Sequence, residues 1–130
     1  MKLSGTITVP LAPDQAIALF TPEGEREWVP HWDPQHHSTT VFSTEHAGDR
    51  TTWIVLAAGP EAVRYARVRP NHHAGTVEVR CRAHGTGTAA TVTYDLTPLA
   101  DHALDEFAAG YDAMLAEWER MIAEACTASR

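Results

Sequence analysis

Apolar and polar residues alternate along KLSGTITV, residues 2 to 9, with Leu3, Ile7 and Val9 on one face. Period-two alternation predicts a half-buried strand, which Pro10 ends because it cannot donate to a ladder. In APDQAIALF the spacing changes: Asp14 stands near the start, and Ile17 and Phe20 share a side, predicting a helix of about two turns. TPEGEREW predicts a second short helix, with Thr21 at its start, Pro22 at the first position and Glu23 and Glu25 in the first turn, although Gly24 opposes it. Strands then follow at residues 37–45, 51–58, 61–69, 75–84 and 88–97, separated by turn signals at Ala47-Gly48-Asp49, Gly59-Pro60, Pro70-Asn71 and Gly85-Thr86-Gly87. Connections this short join antiparallel neighbours and leave no room for crossover helices.

The chain closes on a helical pattern from Asp101 to about Ala125. Leu104, Phe107, Ala108, Tyr111, Met114, Leu115, Trp118, Met121 and Ile122 recur at intervals of three and four. At ~100° per residue they fall within an arc of about 140°. Asp101 suits the cap, Asp105 and Glu106 the first turn, and Asp112, Glu117, Glu119, Arg120 and Glu124 the solvent side. The broad apolar stripe needs a partner, and the apolar face of the meander supplies one. The expected fold is therefore α+β: a curved antiparallel sheet of about six strands wrapped around a long C-terminal helix, with two short helices after the first strand.

Composition narrows the function classes. A chain of 130 residues with 44% hydrophobic and 21% charged content reads as one soluble domain, residues 1–130, with no low-complexity tract. Its net charge of −7 argues against nucleic acid as a partner. Arg64, Arg67, Arg69, Arg80 and Arg82 do cluster in two adjacent strands, where cross-strand pairing with carboxylates such as Glu78 accounts for them. No window approaches the ~18 apolar residues of a membrane span, and MKLSGTITVPLAPD lacks a signal-peptide core, so a cytoplasmic location is expected. Cys81 and Cys126 stand in strand-like and helical runs as separate thiols, with no C-x-x-C motif. Walker, G-x-G-x-x-G and G-x-S-x-G motifs are missing, which removes nucleotide binding and serine hydrolysis.

The order strand, two short helices, meander and long helix, with ALFTPEGEREWVPHWDP near the start and TVTYDLTPL before the last helix, resembles the SRPBCC superfamily of START, pollen-allergen-like and polyketide cyclase-like helix-grip proteins. The resemblance covers essentially the whole chain. It implies an elongated cavity between sheet and helix for a small hydrophobic or amphipathic molecule, and no cofactor. Trp32, Trp53, Tyr65, Tyr94, Phe107, Tyr111, Met114 and Trp118 are the candidate lining residues, each of which could equally fill a solid core. Two other readings stay open: a cyclase/aromatase-like enzyme using polar cavity groups, and a co-chaperone-like interaction module. A homodimer is also left open.

Candidate catalytic residues are Tyr65, Arg67, His31 and Asp33. Tyr65 and Arg67 share a strand face and make an acid and anion-binding pair if that face points inward. Hairpin alternation sorts the histidines into His31, His36, His37 and His84 at one sheet end, and His46, His72, His73 and His102 at the other. His31-x4-His36-His37 with His84 or Asp33 offers enough ligand types for zinc but matches no zinc motif, and adjacent strand histidines point to opposite faces, so no metal is expected. In EREWVPHWDPQHH, Trp28 and Trp32 read as anchors for the short helices, Asp33-Pro34 as the turn into the second strand, and His31 as a cavity-rim residue.

Overall fold

The computed structural model of the protein describes residues 1–128. Seven strands form one fully antiparallel sheet: β1 (Lys2–Val9), β2 (Gln35–His36), β3 (Val41–His46), β4 (Asp49–Ala58), β5 (Ala62–Arg69), β6 (His73–His84) and β7 (Gly87–Pro98). Their order is β1-β7-β6-β5-β4-β3-β2, so β2 to β7 make a continuous meander and β1 returns to its far edge beside β7. The register there runs from Lys2 opposite Asp95 to Val9 opposite Thr88.

Helix α1 (Pro13–Ala18) carries proline at its start, where the missing N–H has no intrahelical partner to lose. The second expected helix is only a 3-10 turn, Gly24–Glu27. It presses against α1 so closely that a Cβ on Gly24 would collide with the carbonyl oxygen of Ala18. Thr21 fixes the approach: its hydroxyl donates to Ala18 O at 2.7 Å and accepts from Gly24 N at 3.0 Å.

The strand expected from residue 37 begins instead at Val41. Ser38 Oγ accepts from the N–H groups of Thr40 and Val41, at 3.2 and 3.1 Å, giving the backbone a tight turn in place of a ladder. What precedes the turn pairs only as the two-residue β2. The C-terminal helix is also divided, into α2 (Asp105–Ala109) and α3 (Tyr111–Ala128), at Gly110 with φ −96° and ψ 5°. Asp101 does not cap it: residues 101–104 form turns, His102 takes φ 60°, and Leu104 is driven into the core before α2 starts. Among the described residues no helix is long and apolar enough to cross a membrane.

α3 lies across the concave face and crosses β1 at Gly5, where a Cβ would stand 2.5 Å from Leu115 Cδ1; the absent side chain permits the close approach. Two hydrogen bonds pin the helix to the sheet: Tyr111 donates to Val92 O at 2.7 Å, and Thr8 N donates to Glu119 Oε2 at 2.6 Å. The second also occupies a donor on the exposed edge of β1. Beneath α3 the core includes Val9, Val92 and Ile122, all fully buried.

Candidate functional site

The concave face of β5 presents Val63, Tyr65 and Arg67 in succession, while Arg64 stands on the other face opposite Glu78 of β6. Alternation therefore sends one arginine inward, because the inward set is fixed by the apolar positions on either side of it. Arg67 reaches a cavity of about 390 Å³ between α3, the 3-10 turn and strands β3 to β5. Its apolar walls are Trp32, Trp53, Trp118, Met114 and Val29, and Glu25 and Tyr94 supply polar atoms.

The walls are rigid because the aromatic rings brace one another. Trp53 stacks on Phe42 with centroids 5.7 Å apart and stands edge-on to Trp32 at 6.0 Å. Trp118 meets Trp28 edge-on at 5.4 Å. Each of the two tryptophans in the loop region also donates its indole N–H at 2.7 Å, Trp28 to Leu19 O and Trp32 to Pro22 O. These bonds tie the loop to α1 and to the start of the 3-10 turn, which is the anchoring expected of them.

The Arg67 guanidinium carbon lies 4.5 Å from the Trp53 ring centroid and 5.8 Å from that of Tyr94, a double cation–π arrangement. Its Nε is buried with no hydrogen-bond partner. Burial lowers its pKa, offset in part by Tyr94 and Glu25. Across the cavity, burial raises the Glu25 carboxyl well above the usual carboxylate range, and the attraction of Arg67 only partly opposes this. Desolvation outweighs the attraction of Arg67, so the site favours the protonated form of Glu25 more than water does. Burial likewise pushes the Tyr94 phenol up to about 12.

A second cavity, about 480 Å³, opens on the opposite side of Arg67 under the 101–107 segment. It is lined by His72, His73, His102 and Phe107, with Arg67 and Arg69 shared by both cavities. His72 and His73 bring their Nδ1 atoms within 2.6 Å, so one donates, and the other, which accepts, is neutral. His73 Nε2 is buried without a partner. Burial, and then Arg67, push His73 down to about 4.

Solved structures share the fold of the chain. MLL2253 from Mesorhizobium loti matches with a TM-score of 0.74 at 12% identity, over 100% of this chain and 99% of its own. CalU16 from Micromonospora echinospora matches with 0.68 at 16% identity, over 93% and 75%. The Aha1 dimer from Colwellia psychrerythraea matches with 0.65 at 12% identity, over 92% and 96%. Neither a protein-family profile nor a curated protein matches the sequence. The fold is a helix grip, an antiparallel sheet wrapped around a C-terminal helix.

Within the grip, the expected lining residues separate into three places. Trp32, Trp53, Tyr94, Met114 and Trp118 meet in the cavity with Arg67. Phe107 lines the second cavity, 5.0 Å from Tyr94 by ring centroids. Tyr65 and Tyr111 are core residues whose hydroxyls are already spent, Tyr65 donating to Phe20 O at 2.8 Å and Tyr111 to Val92 O. Tyr65 and Arg67 thus share a face but do not act on one space.

His31 takes φ 60° and stands at the cavity mouth with His46, Asp33 and Asp49. That position is the sheet end opposite to the one expected from hairpin alternation, because the loop before β2 doubles back across the mouth. His36 pairs with Glu23 at 2.8 Å and His37 with Ser43 Oγ at 2.8 Å, while His84 lies exposed at the β6–β7 turn. Among the described residues no group of three or more His, Cys, Asp or Glu is arranged to hold a metal ion. Asp33 accepts from Arg26 at 3.3 Å and from Gln35 at 3.1 Å, a turn-stabilising role.

Sequence reasoning missed Glu25 and Arg69. The available signal for Glu25 was its separation of three from Trp28, which in a three-per-turn helix puts both on one side.

Proposed function

We propose that the protein binds a small amphipathic molecule with an aromatic or other flat apolar body in the cavity beneath α3. The observation that carries this reading is a braced tryptophan wall enclosing a polar pair, Arg67 and Glu25, within one space of about 390 Å³. Ligand sites are typically concave, mostly apolar and supplied with a few convergent polar groups, in volumes of roughly 300–1,000 Å³. All four tryptophans of the chain line that space or touch a residue that does, so ligand entry is reported by intrinsic fluorescence. The test is a 2-naphthol titration followed by tryptophan emission, alongside mass spectrometry of an organic extract of the purified protein. Saturable quenching that Trp118→Ala weakens at least tenfold supports the reading. Linear, unsaturable quenching with an empty extract defeats it.

A second reading, cyclase-like acid/base chemistry, is favoured by Glu25. A neutral carboxyl beside a guanidinium can give its proton to a ligand carbonyl oxygen while the resulting carboxylate is stabilised by Arg67. Deuterium exchange into the α-carbon of 2-tetralone, faster with the wild type than with Glu25→Gln, is the expected result. Equal exchange by both proteins rejects catalysis and leaves binding standing.

A further inference from the structure

The eight arginines of the described residues can be compared for their counter-charges. Arg26 pairs with Glu23 and Asp33, Arg50 with Glu45, Arg69 with Asp49, Arg80 with Glu78, and Arg120 with Glu117 and Glu124. Arg64 and Arg82 have solvent instead, both being exposed. Arg67 has neither. Among the described residues no carboxylate stands within ion-pair distance of it, and its Nε is sealed from water with no acceptor. A desolvated charge left unpaired is expensive, and structures retain one where something else completes it.

Glu25 does not complete it. Its carboxyl lines the same cavity but makes no ion pair with Arg67, and burial raises its pKa above the usual carboxylate range. The other carboxylates of the cavity, Asp33, Glu45 and Asp49, are paired with Arg26, Arg50 and Arg69, so none of them answers Arg67. Trp53 and Tyr94 lie against the guanidinium, and a planar guanidinium edge matches a carboxylate. The flat walls of Trp32 and Trp118 lie alongside.

We propose that the cavity takes an aromatic carboxylic acid, with its carboxylate on Arg67 and its ring against the tryptophans. This rests on the cavity-binding reading above and adds the head group. Glu25 repels such an anion once ionised, and does not while protonated.

The experiment compares 2-naphthoate with 2-naphthamide, an uncharged analogue of nearly the same shape, by isothermal titration calorimetry at pH 7. The wild type is expected to bind naphthoate at least tenfold more tightly. Arg67→Gln is expected to bring the two affinities together while amide binding persists, which also shows that the variant is folded. Glu25→Gln is expected to flatten the weakening of naphthoate binding as pH rises. Equal affinity of acid and amide for the wild type overturns the head-group assignment and leaves the cavity reading intact. Binding of neither overturns both.

Discussion

Replacing His73 by phenylalanine should make the protein's stability less sensitive to acid without much loss at neutral pH. His73 is only 4% exposed, at the start of β6, and burial with Arg67 pushes it from 6.5 down to about 4. Between those two pH values the unfolded chain binds a proton that the folded state refuses, so stability falls as pH falls through this window. At 1.36 kcal/mol per pH unit the full effect is roughly 3 kcal/mol, a large fraction of the 5–15 kcal/mol expected of a whole domain. Phenylalanine keeps the ring volume. It loses the 2.6 Å contact with His72 Nδ1, worth about 1 kcal/mol, and removes the unpartnered Nε2, which offsets a similar amount. Urea denaturation at pH 7 and pH 4.5 measures the four free energies, and the double difference cancels titrating groups not coupled to His73, leaving its partner His72 as the one contact that changes with it. Wild type and variant should differ by less than about 1 kcal/mol at pH 7, and the variant should gain roughly 2–3 kcal/mol relative to wild type at pH 4.5. Parallel pH dependences would refute the reasoning.

Other outcomes follow from the same geometry. Glu25 has the opposite sign: its folded pKa is raised, so the neutral acid is favoured below the unfolded value and stability is lost as pH rises from about 4.5; Glu25→Gln should stabilise the protein most at pH 8, measured by thermal unfolding across pH. Gly24→Ala forces a side chain into the Ala18 carbonyl and should destabilise by more than about 2 kcal/mol, while an alanine at the exposed Gly59 should cost under about 1 kcal/mol in chemical denaturation. Tyr65→Phe removes the hydrogen bond to Phe20 O, costing about 1–2 kcal/mol of stability, and should leave naphthol affinity unchanged because that hydroxyl does not face the cavity.

Most of the sheet was legible because its information is local. Alternation located β1 and β4 to β7 within a few residues, and the turn chemistry at 47–49 and 85–87 placed both hairpins, with Gly48 and Gly85 at positive φ. The errors arose where a distant contact decided. Leu104 leaves the helical run because it is buried against the sheet, and a four-residue serine turn displaces the start of β3. The cavity chemistry was half legible. Alternation placed Tyr65 and Arg67 together, but only the path of α1 shows that Phe20 O claims the tyrosine. Glu25 looked like a helix-dipole residue, since nothing local says that its turn is roofed by α3. His31 was assigned to the wrong end because hairpin counting has no purchase on an irregular loop.

The pairing of β1 with β7 sets the order of assembly. Strands β2 to β7 join neighbours through turns of two to four residues, whereas Lys2 must find Asp95 across almost the whole chain. Closing so long a loop is slow, so the meander can form first and β1 with α3 should dock last. The cavity beneath α3 then exists only after the slowest step. A bound molecule should accordingly retard unfolding and leave the refolding rate unchanged, making occupancy a determinant of the protein's lifetime as well as its equilibrium.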